Sequence, residues 1–306
     1  MKDRTIALFL LTRENDYQRL QETEAVATAH RLRVPLEVFF CESDAQIQAQ
    51  QVYAFVHEHA AGSIVIAEPV SDGPLEAVAR HAALEDIGWI LLHSTASYME
   101  DLRIEFPRLL LTSVTADQRD IGRIQGRQFE TLLHGKGMML YVQGPLRSAA
   151  AAGRFAGMRE IIDHTAVKYQ VVHGDWTEES GEKVVSSWLR SSSVAAQLQL
   201  IGCQNDAMAA GALRALAGAV GRFGRIDVTR MPVTGVDGNP GHGMALVDRN
   251  RLAATVIMPP VSGRAIELIH EAWSTIGYAA PPVVRLAVRS YPEMSTIALR
   301  AGWGPR

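Results

Sequence analysis

Side chains able to bind a hydroxyl-rich molecule recur just after the predicted strands of this chain. Asn, Asp, Ser and His can exchange hydrogen bonds with hydroxyl groups, and Arg can bind two oxygens at once. Tyr and Trp can stack on the apolar face of a sugar ring. The candidate binding residues are Asn15, Tyr17, His93, Ser94, Arg154, Trp176, Asn205 and Asp237. Together they suit a small polar ligand.

Each of these positions also has a purely structural explanation. Asn and Asp are common after strands because they form turns and cap helices, and Asp206 is expected to cap the helix that it begins. Trp176 could pack on the surface of a lobe, and His93 could be an ordinary edge residue. The case for a binding site therefore rests on suitable residue types recurring at equivalent positions.

Sequence patterns typical of catalysis or metal binding are absent. There is no G-x-S-x-G elbow and no phosphate-binding P-loop. His57 and His59 are two residues apart, whereas two zinc ligands on one helix face would be four apart. An enzyme on this fold would have to use Asp237 and His93, and neither has an evident activating partner. We expect no enzymatic activity, no cofactor and no metal.

Composition and charge describe a globular protein with no affinity for nucleic acid. The net charge is −3, the isoelectric point about 6.4 and the mean hydropathy +0.02, and the basic residues are scattered rather than clustered. Cys41 and Cys203 lack metal-ligand spacing and are expected to be free, buried thiols. The early apolar run 6–11 is too short for the core of a signal peptide, so it predicts a first strand, and no segment predicts membrane insertion.

Strand and helix patterns alternate along nearly the whole chain. Short apolar runs separated by helices are typical of parallel sheets that are covered on both faces. The alternation is interrupted before Asp117, which is a plausible N-cap for a helix over 117–133, and then begins again. The pattern predicts an α/β protein of two doubly wound parallel-sheet lobes. Ligands of such sheets bind beyond the carboxyl ends of the strands, so a ligand cleft is expected between the lobes.

Several segments resemble one known family. The run Q-N-D-A-M-A-A-G-A at 204–212 is similar to the family signature N-D-x-M-A-x-G-A, and G-V-D-G-N-P at 235–240 is similar to its G-F-D-G-x-P turn. The segment 148–158, with Arg154 and Gly157, is similar to an arginine-bearing helix of that family. On these motifs the chain resembles the type I periplasmic sugar-binding proteins, the ribose-binding-protein group, which share their fold with the core of LacI-type repressors.

The resemblance implies a fold, a site and a hinge. It implies ligand contacts from both lobes through the residues matching Asn15, Tyr17, Arg154, Trp176, Asn205 and Asp237, and closure of the lobes on binding. It also implies three chain crossings, near Ala116, Met258 and Ala287. One lobe would then comprise residues 1–116 with 259–287, and the other 117–258 with 288–306.

The chain departs from the family pattern at three positions of the expected pocket. His93-Ser94 stands where the family has an Asp-Arg pair, Met258 stands where it has a glutamine, and Gln18 replaces an aromatic residue. We include Met258 among the ligand-binding candidates. Because each change removes a polar or stacking contact for a pentose, ribose is disfavoured. A deoxygenated, amino or acidic sugar, or a non-sugar polyol, is expected instead.

The expected function is that of a solute-binding protein for ABC-type uptake or sensing. The expected protein partner is an ABC permease or a membrane sensor, and the protein is expected to be a monomer. The alternative is a cytoplasmic effector-sensing domain related to LacI-type regulators, without a DNA-binding domain. A periplasmic location is expected if a signal peptide has been removed before Met1, and a cytoplasmic one if the chain is the full gene product.

Overall fold

The structure is a computed structural model that describes residues 4–219 and 231–301. The predicted lobes extend beyond these residues at both ends. The chain divides into two units, each discontinuous in sequence. Unit 1 is formed by Met1–Ala116 and Pro260–Leu286, and unit 2 by Asp117–Pro259 and Ala287–Arg306.

Strands and helices alternate as the sequence pattern predicts. The strands are β1 (Ile6–Leu10), β2 (Leu36–Phe40), β3 (Ile64–Ala67), β4 (Gly88–Leu92), β5 (Leu111–Ala116), β6 (Lys136–Gln143), β7 (Ala166–His173), β8 (Leu198–Cys203), β9 (Val233–Thr234), β10 (Thr255–Ile257), β11 (Val283–Leu286) and β12 (Arg289–Tyr291). The helices are α1 (Asp16–Leu32), α2 (Ala45–Glu58), α3 (Asp72–Leu84), α4 (Tyr98–Glu105), α5 (Gln118–Leu132), α6 (Ala149–Ile162), α7 (Glu178–Ser191), α8 (Asp206–Gly218), α9 (Ala245–Asp248), α10 (Ser262–Ser274) and α11 (Met294–Arg300). None of the helices within the described ranges is both long and apolar enough to cross a membrane.

Unit 1 contains a parallel sheet with strand order β11-β5-β4-β3-β1-β2. Every residue of β1 is buried, because its side chains alternate between two hydrophobic layers. Phe9 packs with residues of α2 and α3, whereas Leu8 packs with residues of α1 and α10. A strand covered on both faces must be apolar throughout, which accounts for the uninterrupted run that predicted it.

Unit 2 contains a parallel sheet with strand order β7-β6-β8-β9. The prediction of a two-lobed α/β fold with parallel sheets is confirmed, with one difference. β10 and β12 form an antiparallel pair, joined at Thr255 and Tyr291. A strand over 253–257 is predicted by the sequence and contains β10, but β12 is only three residues long, too short for its sequence to show the pattern that identifies a strand.

Two other elements differ from the sequence prediction. The helix α4 was not predicted, although its buried residues Tyr98, Met99 and Leu102 are spaced as on one helix face. A helix of eight residues is shorter than the window in which such a pattern stands out. The apolar run at 109–112 predicts a strand there, but the strand lies at Leu111–Ala116, where Ser113 and Thr115 are buried within the sheet despite their polarity.

Glycines bring α5 and α6 into backbone contact. A Cβ atom on Gly157 would lie 1.9 Å from the carbonyl oxygen of Arg119, and one on Gly122 would lie 2.0 Å from that of Arg154. Only residues without a side chain permit this approach. The contact fixes the backbone of Arg154 against α5, and thereby the origin of its side chain.

Candidate functional site

Unit 1 brings together Tyr17 and His93, although 76 residues separate them in sequence. Tyr17 lies in the first turn of α1, and His93 follows the last residue of β4. The Tyr17 hydroxyl oxygen is 3.0 Å from His93 Nε2, and the ring centroids are 5.5 Å apart. Ser94 is the next residue of the same loop and is half-buried. The sequence-predicted residues of unit 1 thus lie at the carboxyl end of β1 and β4.

Asn15 is the N-cap of α1. Its Oδ1 accepts hydrogen bonds from the backbone N–H groups of Tyr17, at 2.8 Å, and Gln18, at 3.3 Å. Asn15 therefore does cap a helix, which is the structural explanation that the sequence offered for it. It is also compatible with ligand binding, because capping uses the amide oxygen and a ligand would be bound by the Nδ2 donor.

Two buried glutamines on α1 shape this region, and sequence reasoning missed their roles. Gln18 replaces an aromatic residue of the family, but it accepts a hydrogen bond from the backbone N–H of Leu11 and donates one to the Glu68 carboxylate. Gln21, one turn further on, contacts His93. Polar residues three apart on the buried face of a helix are the signal that could have found them.

Arg154 is the central charged group of unit 2. It projects from α6, and only 4% of its surface is exposed. Its Nε donates a hydrogen bond to Gln118 Oε1 at 2.8 Å, and its guanidinium also donates to the backbone carbonyl of Gln204. A terminal nitrogen lies 3.4 Å from Met258 Sδ. These contacts fix the direction of the guanidinium, as bidentate recognition of ligand oxygens requires.

Trp176 lies in the loop between β7 and α7, next to Arg154. The Arg154 guanidinium carbon is 5.4 Å from the indole ring centroid, within range of a cation–π interaction. Asn205 Nδ2 donates a hydrogen bond to the Trp176 carbonyl oxygen at 2.8 Å. The indole also packs directly on Gly144, where an added Cβ would lie 2.3 Å from ring carbons. Trp176 is therefore a fixed ring and not a freely exposed one.

The structure assigns different roles to Asn205 and Asp206. The expectation that Asp206 caps α8 was wrong, because Asn205 is the last extended residue and its Oδ1 accepts the Met208 N–H at 2.9 Å. Asp206 is the first helical residue, and its carboxylate turns inward. It accepts hydrogen bonds from Gly238 N–H at 2.8 Å and from the Thr255 hydroxyl at 2.7 Å.

Asp206 and Asp237 form a pair of carboxyl groups in a largely dry environment. Asp206 is 2% exposed and Asp237 is buried. Burial raises the pKa of Asp206 well above its ordinary value, and the negative charge of Asp237 raises it further, while Arg154 acts in the opposite direction. The Asp237 backbone is fixed by hydrogen bonds with Val256 and Met258, each of 3.0 Å.

Three of the predicted site residues adopt a left-handed backbone conformation. The φ angles are 57° at His93, 74° at Trp176 and 106° at Asp237. In a residue with a side chain, this conformation costs about 1–3 kcal/mol and persists only where the surroundings enforce it. Six other non-glycine residues of the described ranges share this conformation, so it does not by itself mark a binding site.

Metal binding has no support in the described ranges, where no group of three or more His, Cys, Asp or Glu side chains could hold an ion. Cys41 and Cys203 are both free and buried. Burial raises the pKa of the Cys41 thiol to about 11, so the thiol is protonated near neutral pH and is a poor nucleophile.

The contact between Gly144 and Trp176 yields a testable prediction. Gly144→Ala is expected to displace the indole and to lower the free energy of unfolding by about 1–3 kcal/mol, because the new methyl group overpacks the contact. Tryptophan emission should change in the same variant, and the change should disappear when Trp176 is also replaced by Phe. Gly218→Ala is the matched control, since no atom lies within 4 Å of its added Cβ. Equal stability of the Gly144 variant and the wild type would contradict this packing.

Comparison with known proteins identifies the family. Residues 6–272 match the family model described as periplasmic binding protein domain. The chain belongs to this family, which is made up of solute-binding proteins. The resemblance to type I periplasmic sugar-binding proteins is confirmed.

Individual relatives and structures agree with this assignment. The chain is 23% identical over 271 residues to the galactofuranose-binding protein YtfQ of Escherichia coli (strain K12), covering 87% of this chain and 81% of the relative. It is 28% identical over 203 residues to a xylitol-binding protein of Mycolicibacterium smegmatis, covering 64% and 51%. The fold matches the periplasmic binding protein of the arabinose ABC transporter from Shewanella sp. ANA-3, solved with L-arabinofuranose, with a TM-score of 0.81 at 20% identity and coverage of 97% and 94%.

Proposed function

We propose that this protein binds a small polyhydroxylated ligand, a sugar or sugar derivative, and delivers it to an ABC-type importer. The observation that carries the proposal is the arrangement in unit 2. A buried, directionally fixed Arg154 lies beside the indole of Trp176 and near the Asp206–Asp237 carboxyl pair. A guanidinium and a carboxylate bind vicinal hydroxyls, and an aromatic ring packs on sugar C–H groups.

The relatives support this ligand class. Two of the relatives are named for galactofuranose and xylitol, and one matched structure holds L-arabinofuranose. All three ligands are neutral and rich in hydroxyl groups. Their range, from furanose rings to an open-chain polyol, supports a polyhydroxylated ligand. That the ligand is not ribose remains our proposal, based on the loss of the family's Asp-Arg pair and glutamine.

The full set of proposed ligand residues comes from both units. From unit 1 we propose Asn15, Tyr17, His93 and Ser94. From unit 2 we propose Arg154, Trp176, Asn205, Asp237 and Met258. We further propose that the two units are the predicted lobes. The side chain of Asn205 contacts Trp176, and that of Met258 contacts Arg154. We propose that both residues hold these neighbours in place and also contact the ligand.

The family assignment supports three further proposals, on the partner, the location and the absence of catalysis. We infer that the protein acts as a monomer in the periplasm and docks on an ABC permease. We also infer that it is not an enzyme. His93 and Asp237 were the only acid–base candidates from the sequence, and the ring nitrogen of His93 nearest the Tyr17 hydroxyl is already hydrogen-bonded within unit 1.

A thermal-shift screen tests the proposed function. The panel comprises L-arabinose, D-galactose, xylitol, D-ribose, glucosamine, glucuronate and a phosphorylated sugar. A ligand at one hundred times its Kd adds about 2.7 kcal/mol of stability, which should raise Tm by roughly 5–10 °C in a chain of this size. A shift with neutral polyols supports the proposal, whereas a shift with the phosphorylated sugar alone would contradict a periplasmic role.

Replacing Asp237 links any hit to the proposed site. Asp237→Asn is expected to remove the ligand-induced shift, because the amide keeps the shape but loses the charged acceptor. Glu179→Gln on the exposed face of α7 makes the same chemical change away from the site and should retain the full shift. Full retention of the shift in the Asp237 variant would show that the ligand binds elsewhere.

A further inference from the structure

Gln204 is a buried amide that joins three segments of unit 2. It directly follows β8 and is completely buried. Its Oε1 accepts a hydrogen bond from the backbone N–H of Gly144 at 2.9 Å. Its Nε2 donates to the backbone carbonyl of Ala151 at 2.9 Å and to the Tyr141 hydroxyl at 3.0 Å. Both hydrogens of the amide and its oxygen are therefore engaged within unit 2.

The direction of each hydrogen bond in this cluster is determined by backbone atoms. A backbone N–H can only donate and a backbone carbonyl can only accept, so the two ends of the Gln204 amide cannot be exchanged. Gln125 Nε2 donates to the Cys203 carbonyl at 2.9 Å, so its Oε1 accepts from the Tyr141 hydroxyl at 3.0 Å. Burial raises the pKa of Tyr141 above its usual value, so this donor keeps its proton. A buried cluster in which every hydrogen bond agrees is rigid.

Gln204 holds Arg154 at two points. Ala151 lies three residues before Arg154 on α6, so the hydrogen bond to its carbonyl fixes the helix turn from which the arginine projects. The Gln204 backbone carbonyl accepts a hydrogen bond from the Arg154 guanidinium. The side chain of Gln204 thus fixes the base of the arginine, and its main chain fixes the charged end.

Gln204 also supports the indole of Trp176, through Gly144. The indole packs directly on Gly144, whose N–H is bound by the Gln204 amide. The next residue, Asn205, donates to the Trp176 carbonyl at 2.8 Å. Two consecutive residues after β8 therefore hold the surface on which the ring rests and the backbone that carries it.

We propose that Gln204 is a positioning residue that sets the Arg154 guanidinium against the Trp176 indole and thereby determines the affinity for the ligand. The guanidinium carbon and the ring centroid are 5.4 Å apart. Groups that are fixed before the ligand arrives lose little freedom on binding, which favours affinity. This inference rests on the proposed function, in which Arg154 and Trp176 contact a sugar. Gln204 is completely buried and acts through these two groups.

The first test requires no ligand. Fluorine-19 NMR of fluorotryptophan-labelled protein reports on each of the five tryptophans, and the Trp176→Phe variant identifies the Trp176 signal by its loss. Gln204→Met fills the space of the glutamine but binds neither the Gly144 N–H nor the Ala151 carbonyl. We expect the Trp176 signal to shift or broaden in this variant.

Gln128→Met provides the matched control. Gln128 is another completely buried glutamine of unit 2, and its Nε2 donates to the Thr255 carbonyl at 3.0 Å and to the Ser290 hydroxyl at 2.9 Å. The same substitution there removes buried hydrogen bonds that do not involve Gly144, Ala151 or Arg154. It should lower the stability of the fold and leave the Trp176 signal in place.

The affinity for a sugar measures the consequence for binding. The probe is whichever of L-arabinose, D-galactose and xylitol raises the Tm of the wild type most. We expect Gln204→Met to weaken its binding about tenfold or more, which corresponds to about 1.4 kcal/mol. Gln128→Met should keep the wild-type affinity. Isothermal titration calorimetry measures both, at a temperature at which circular dichroism shows the variants folded.

The outcomes separate the two proposals. Unchanged affinity or an unmoved Trp176 signal in folded Gln204→Met would overturn the positioning role and leave the binding function intact. Equal losses of affinity in the Gln204 and Gln128 variants would also overturn it, because general loosening of unit 2 would then be the cause.

A second variant covers failure of the first to fold. Gln204→Asn keeps an amide but is one methylene too short to bind Gly144 and Tyr141 together, so the same shift and the same loss of affinity are expected, and the same outcomes decide. Wild-type protein that binds none of the three sugars would overturn the proposed function. The ligand-free Trp176 signal would still decide whether Gln204 positions the indole.

Discussion

Replacement of Arg154 by methionine is expected to lower the free energy of unfolding by about 3–5 kcal/mol, as the loss of one partner from a buried polar cluster typically does. The guanidinium is almost completely buried, and its hydrogen bonds satisfy Gln118 Oε1 and the Gln204 carbonyl. Methionine fills much of the space but cannot donate to these acceptors, which are left without this donor. It also removes the positive charge near Asp206. Urea denaturation followed by far-ultraviolet circular dichroism measures the effect.

A second arginine on α6 provides the control for this substitution. Arg159 pairs with Asp163 on the same helix, but 53% of its side chain is exposed. Arg159→Met should change the free energy of unfolding by less than about 0.5 kcal/mol, because exposed ion pairs contribute little. The Arg154 variant should also lose the ligand-induced rise in Tm. If both substitutions had the same small effect on the free energy of unfolding, the buried hydrogen bonds of Arg154 would not stabilise unit 2.

Fold class could be predicted from the sequence because parallel strands buried on both faces leave a strong local signal. β1 and β4 are apolar throughout for this reason. The antiparallel pair of β10 and β12 could not be predicted, because the hydrogen bonds that define it join residues far apart in sequence, such as Thr255 and Tyr291. Three residues of strand carry too little pattern to reveal such a pairing.

The candidate site could be predicted in its residue types but not in its internal contacts. Arg154 and Asp237 were identified by local motifs and by their positions relative to strands. Gln21 was not, because a buried glutamine looks like an exposed one in sequence, and its partners Val261 and Ser262 lie about 240 residues away. The capping role of Asn205 was assigned to its neighbour because adjacent Asn and Asp are equally good caps until the backbone angles are known.

The buried carboxyl of Asp206 leads to a prediction about pH. Its pKa in the folded protein is raised above the ordinary 3.8 by burial and by Asp237. Between the unfolded and the folded pKa, the folded protein therefore binds a proton that the unfolded chain has lost. The contribution of Asp206 to stability is fully present below the unfolded pKa and is lost as the pH rises through the folded pKa, at a rate of up to about 1.4 kcal/mol per pH unit.

The variant Asp206→Asn isolates this contribution. Its amide can still accept from Gly238 N–H but does not titrate, so the stability of the wild type relative to the variant should fall as the pH rises above about 4. Asp175→Asn is a control of opposite sign. Partial burial raises the pKa of Asp175, but hydrogen bonds from Thr177 and Ser180 outweigh this effect and lower the pKa. The stability of the wild type relative to Asp175→Asn should therefore rise with pH near and below 3.8.

A pH-independent difference for Asp206→Asn, measured by urea denaturation between pH 3 and 8, would show that Asp206 is ionised to the same extent in both states.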